Sequence, residues 1–145
     1  MPMVRMLGHE EAAAAVEAIR AELTRRSDAA VVAVGDAHGE LVALLRMDGA
    51  PVSAVPVAVN KAYTAARMRR PSRAIGDALR DPARGVSASF YGDRRYVGWA
   101  GGLPVVIGGA VVGAVGVSGM SQDLDEEMAR IGVAAMLGRD GTGTG

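Results

Sequence analysis

The stretch over residues 103–117 contains no polar side chain, and it constrains the fold more than any other part of the chain. Pro104, Gly108, Gly109, Gly113 and Gly116 interrupt it. It is therefore too short and too broken for a bilayer-spanning helix, which needs about 20 consecutive apolar residues. It divides instead into two runs rich in β-branched residues, 103–107 and 110–117, on either side of Gly108-Gly109. Paired glycines supply the positive φ that tight hairpin turns demand, so this region is expected to form two antiparallel strands. A hairpin this apolar must be covered by other elements.

Four amphipathic segments supply the cover. Residues 9–26 place Ala12, Val16, Ile19 and Leu23 at helical spacing on one face. Glu10 and Glu11 near the start, with Arg25 and Arg26 near the end, complement the helix dipole. A second helix is expected from Ser53, its candidate cap, to about Met68, with Pro56 tolerated only in the first turn. After a break at Pro71, Ser72 is expected to cap a short helix that runs to about Arg80 and ends at Asp81-Pro82. Ser121 can cap the last helix, whose stripe is Leu124, Met128, Ile131 and Ala135, with Asp123, Asp125 and Glu126 in its first turn.

Between the first two helices, apolar runs at 29–34 and 40–46 flank Gly35-Asp36-Ala37-His38-Gly39, which reads as a second hairpin. Residues 86–90 read as a further strand, followed by a polar excursion through Asp93, Arg94 and Arg95. The expected fold is α+β: a five-stranded, largely antiparallel sheet flanked by helices, in one domain over residues 1–138. Residues 139–145 are expected to be a disordered tail. With one Phe, one Trp and three Tyr, the core must be built from Ala, Val, Leu, Ile and Met.

Charge and composition remove several classes of function. Sixteen basic residues balance sixteen acidic ones, so no net field draws the chain to phosphate backbones or anionic lipid. The cluster Arg67, Arg69, Arg70 and Arg73 lacks the interleaved aromatics that stack bases. Neither nucleic acid nor membrane is expected as a partner. The absence of cysteine removes disulfides, thiolate catalysis and Cys-ligated metal sites. The N-terminal residues show no secretory pattern, and a cytoplasmic location is expected.

Four segments in order carry a family resemblance: Arg46-Met47-Asp48-Gly49-Ala50, Lys61-Ala62-Tyr63-Thr64-Ala65, Gly101-Gly102-Leu103-Pro104, and Val112-Gly113-Ala114-Val115-Gly116-Val117-Ser118-Gly119. Over residues 10–138 the chain resembles the GlcG/HbpS family, also found as the C-terminal domain of PduO-type proteins. The resemblance implies a five-stranded antiparallel sheet with flanking helices, assembly into homo-oligomers, and a small-molecule ligand that is haem in several members. The chain departs from the family pattern at His38-Gly39, where members often place the glycine before the histidine.

Candidate site residues follow from chemistry and from that resemblance. His9 and His38 are the only imidazoles available to a haem iron or another metal; whether a metal binds is left open. Arg46 and Asp48, two apart at a strand end, either pair to fix the turn or jointly clamp a polar ligand. Lys61 is either an ordinary exposed lysine or a carboxylate-binding or acid–base group. Gly101 and Gly102 form a plain turn or expose amides to an anion or to a cofactor. Phe90, Tyr91, Tyr96 and Trp99 line a pocket or cover a subunit interface. Two functions compete. One is a small-ligand-binding protein with haem as its ligand. The other is a cofactor-independent isomerase, lyase or hydrolase acting on a small carbonyl or carboxylate metabolite, with Arg46 and Lys61 holding substrate and His38 or Asp48 as base. Both need the segments after Leu45, before Lys61 and around Gly101 to meet at one recess.

Overall fold

The computed structural model describes residues 2–139. In chain order the elements are α1 (His9–Arg25), β1 (Val31–Asp36), β2 (Leu41–Arg46), α2 (Ala54–Met68) and α3 (Ser72–Arg80). A short 3-10 turn (Ala88–Tyr91) is followed by β3 (Gly102–Ile107), β4 (Ala110–Ser118) and α4 (Gln122–Arg139). The tail expected to be disordered lies, apart from Arg139, outside the described residues. No helix among the described residues is long and apolar enough to cross a membrane.

The sheet has four strands in the order β2-β1-β4-β3, all antiparallel. Both expected hairpins form, and β1 and β4 pair side by side at the centre, from Val31 opposite Ser118 to Asp36 opposite Gly113. The expected fifth strand at residues 86–90 is not formed. Val86, Ala88 and Phe90 alternate with serines as a strand would. However, the Ser87 hydroxyl accepts a hydrogen bond from the Ser89 amide, and the chain closes into the 3-10 turn. A local side-chain bond to the backbone thus replaces a ladder, and Phe90 stays 73% exposed. Pro104 sits on the edge strand β3, where its missing N–H leaves no ladder gap.

Strand alternation sorts the core into two layers. Val32, Val34, Val115 and Val117 face α1 and α4, meeting Ala12, Ala15, Ile19, Leu23, Met128 and Met136. Val31, Ala33 and Ala114 face α2, meeting Ala54, Ala58, Ala62, Ala65 and Ala66. The α1 stripe expected from periodicity is therefore correct, with Ala15 added to its buried face. On the α2 side the backbones nearly touch. A Cβ at Gly116 would lie 2.2 Å from the Ala58 carbonyl oxygen, so only glycine lets the helix sit this close.

The helix caps follow the sequence only in part. Ser121 caps α4, accepting from the Leu124 amide at 3.2 Å. Ser53 stands at the start of α2 but makes no capping bond. Ser72 is not the cap of α3, because Pro71 takes that position. The Ser72 hydroxyl instead donates to the Trp99 carbonyl at 2.6 Å and accepts from the Gly102 amide at 2.9 Å. This fully buried serine fixes the chain entering β3.

Candidate functional site

Lys61 lies mid-way along α2, on the alanine-rich face that packs against the sheet, and is only 2% exposed. An ammonium group removed from water must be paired or neutralised. Its Nζ donates to the Val117 carbonyl at 2.8 Å and to Asp125 Oδ2 at 3.0 Å. Asp125 belongs to the first turn of α4, in the other helical layer, and its Oδ1 accepts from the Met120 amide at 3.1 Å. Burial pushes the Lys61 ammonium down and the Asp125 carboxyl up from their ordinary values, and each partner's charge offsets part of that shift.

The paired glycines make room for this contact. Gly101 has φ +126°, and a Cβ there would stand 2.6 Å from the Val117 oxygen and 2.9 Å from Lys61 Nζ. A Cβ on Gly102 would stand 2.3 Å from the Lys61 carbonyl oxygen. Both glycines therefore back the lysine. Beside the ion pair opens a cleft of about 310 Å³, bordered by Pro51, Ala54, Val57, Trp99, Ser118 and Gln122. The segments after Leu45, before Lys61 and around Gly101 do meet here, but through Pro51 and Trp99 rather than through Arg46 or Asp48.

Arg46 and Asp48 are exposed and border a different cleft of about 440 Å³, which they share with Arg20 and Asp28. No ion pair joins the two among the described residues. His38 is exposed in the β1–β2 turn, where the Asp36 carboxylate accepts from the His38 amide at 2.8 Å and the Glu40 amide at 3.1 Å. It borders a third cleft of about 530 Å³, together with Met3, Val4, Arg69, Val106 and Val111. His9 is exposed at the first residue of α1. Thus Lys61, the Arg46–Asp48 segment and His38 occupy three separate clefts. Among the described residues, no group of three or more His, Cys, Asp or Glu could hold a metal ion.

The aromatic segment folds back on α2. The Tyr63 hydroxyl donates to Asp93, and the Arg95 guanidinium lies 3.9 Å from the Tyr63 ring centroid. Tyr96 packs between Tyr63 and Tyr91 with ring centroids 5.3 and 5.7 Å apart. Burial and the Asp93 bond push the Tyr63 phenol up to about 12, while the same bond, with the Arg95 amide, holds the Asp93 carboxyl down at about 2. Phe90 and Trp99, at 73% and 55% exposure, stay outside this cluster.

The sequence reading treats Asp125 only as a dipole-complementing residue and Ser118 only as part of a family segment leading into a helix start that could meet an anionic group; it does not single out Gln122. A signal for Asp125 was present. It precedes Met128, Ala129, Gly132 and Met136 by three, four, seven and eleven positions, which puts it on the buried face of α4.

Comparison with known proteins agrees with this architecture. The family model described as "Haem degrading protein HbpS-like" matches residues 7–134. The chain is 32% identical over 113 residues to Protein GlcG of Escherichia coli K12, covering 78% of this chain and 81% of that protein. The crystal structure of the Klebsiella pneumoniae protein ORFY superposes with a TM-score of 0.88 at 28% identity, covering 94% of both chains. A double mutant of Streptomyces reticuli HbpS superposes with a TM-score of 0.83 at 32% identity, covering 92% of this chain and 89% of the other. With an α+β sheet of the same build and a family match over nearly its whole length, the chain belongs to the HbpS-like family.

Proposed function

We propose that this protein binds haem, with His38 as the nitrogen donor that would hold its iron, at the cleft it shares with Arg69. Haem asks for three things of a protein: a donor to the iron, an apolar bed for the ring and cations near its carboxylates. The His38 cleft has all three among its borders. His38 carries the imidazole, Met3, Val4, Val106 and Val111 the apolar surface, and Arg69 the positive charge. That combination is the observation that carries the reading, and the description of the matching family supports it. His9 lacks such a setting at the exposed start of α1. The Lys61 ammonium is already held by Asp125 and Val117.

In this reading the Asx turn at Asp36 fixes the backbone on either side of His38, which limits the orientations open to the imidazole. When bound, haem would supply an iron centre for electron-transfer or oxygen chemistry. The same reading has the chain assembling with copies of itself. It is supported by an uncovered edge strand, β2, on which Leu41 and Leu44 are 47% and 41% exposed.

Haemin titration followed by absorbance tests the ligand. A saturable Soret band is expected, weakened or shifted in His38→Ala and retained in His9→Ala. No saturable change, or a His38→Ala variant that matches the parent, overturns the assignment. Native mass spectrometry of the same samples reads the assembly and the bound mass together.

A further inference from the structure

The cleft beside the Lys61–Asp125 pair holds hydrogen-bonding groups that haem binding at His38 does not use. Its acceptors are already engaged. Asp125 Oδ1 and Oδ2 take the Met120 amide and Lys61, the Val117 carbonyl takes Lys61, and Gln122 Oε1 takes the Ala100 amide at 2.9 Å. Its donors are not. The Lys61 ammonium has three protons and two acceptors. The Gln122 amide nitrogen donates to no protein group among the described residues, and neither does the Ser118 hydroxyl.

Ser118 is the telling residue. It is 7% exposed and its hydroxyl has no protein partner among the described residues; since no fully buried side-chain polar atom there lacks a partner, this hydroxyl must open to the cleft. Strand alternation places its side chain on the α2 face with Ala114 and Gly116, where the cleft lies. A hydroxyl without a protein partner, a spare ammonium proton and a free amide N–H thus border one small recess.

We propose that this cleft is a second ligand site, separate from the His38 cleft, and that it takes a small monocarboxylate. The carboxylate is the chemistry that matches. It brings only acceptors, and charge-assisted bonds from Lys61 to such oxygens are stronger than neutral ones. The Lys61–Asp125 pair cancels its own charge, so one added negative charge meets donors rather than a second unpaired anion. Ala54, Val57 and Trp99 form an apolar wall for a short hydrocarbon portion. A volume of about 310 Å³ holds a compact acid.

The test is an NMR titration of the ¹⁵N-labelled full chain with isobutyrate, with isobutyramide as the neutral counterpart. Saturable shifts are expected at the amides of Gly101, Ser118 and Gln122 and at the Trp99 indole N–H. Ser118→Ala is expected to weaken binding about threefold to tenfold, the range for loss of one hydrogen bond. Isobutyramide is expected to bind at least about threefold more weakly, since neutral bonds have roughly half the strength. His38→Ala should leave the isobutyrate titration unchanged, which separates this site from the haem reading. Shifts without saturation in the tens of millimolar, equal affinity in Ser118→Ala, or equal affinity for isobutyramide overturns the proposal.

Discussion

Replacing Lys61 with methionine keeps a long side chain in the same alanine-lined slot while removing the charge that faces Asp125. The two side chains are 2% and 3% exposed, so the lost contact leaves the Asp125 carboxylate largely out of water. Breaking a buried ion pair by removing one partner costs about 3–5 kcal/mol. A second route gives a similar figure. If Asp125 escapes by taking a proton, folding at pH 7 must protonate a group whose unfolded pKa is about 3.9, which costs about 4 kcal/mol. That is a large share of the roughly 5–15 kcal/mol that holds such a domain together.

The protonation route carries a sign that can be checked. In Lys61→Met the folded pKa of Asp125 stands above its unfolded value, because burial raises it and the offsetting ammonium is gone. Stability from such a group is fully present below the unfolded pKa and is lost as pH rises toward the folded one. The deficit against the parent should therefore be smaller at pH 5 than at pH 7. Urea unfolding at both pH values, read as midpoint shifts at constant slope, measures it. The double variant Lys61→Met/Asp125→Leu should recover part of the loss, less about 1 kcal/mol each for the Met120 amide and the Val117 carbonyl, which lose their partners. A deficit below about 1 kcal/mol at pH 7, a deficit independent of pH, or a double variant no better than the single one would mean that this ion pair does not carry the stability assigned to it.

Two further outcomes are expected. Gly101→Ala should lower stability by at least about 2 kcal/mol, since it combines φ +126° with a Cβ 2.6 Å from the Val117 oxygen; a thermal melt unchanged from the parent would contradict the packing described. Asp93, held down at about 2, contributes stability that is present above its unfolded value near 3.9 and is lost as pH falls from about 4 to about 2. Limited proteolysis with an acid-active protease should accordingly begin to cut the loop before β3 across that window. Asp93→Asn should remove most of the pH dependence of cutting.

Much of the architecture was legible because it rests on local rules. Gly108-Gly109 announced a hairpin, and the α1 stripe at Ala12, Ile19 and Leu23 is the stripe that is buried. What misled was a competition between local signals. The alternation at residues 86–90 fits a strand, but Ser87 bonding to the Ser89 amide made a turn the better local solution. Ser72 failed as a cap for a different reason, since its hydroxyl is used by Trp99 and Gly102, about thirty positions away. The site shows the same division. Lys61, Gly101 and Gly102 were named from the sequence, and the structure puts them in contact. Asp125 is separated from Lys61 by 64 positions, and no periodicity links a residue to a partner in another layer. Arg46 and Asp48 share a face only while the strand lasts, and β2 ends at Arg46.

The alanine paving beneath α2 has a mechanical consequence. A helix whose buried face is almost all methyl groups offers shallow corrugation, so close approach alone resists lengthwise sliding weakly. The longer buried side chains on α2 act as latches in its place: Lys61 to Asp125, Tyr63 to Asp93, and Thr64, which accepts from the Val97 amide at 2.9 Å. These polar contacts set the helix's position along the sheet, and the Lys61–Asp125 contact also carries stability. Releasing the Tyr63 and Thr64 latches together is expected to let α2 drift along its bed, visible as exchange-broadened NMR signals under an unchanged circular dichroism spectrum.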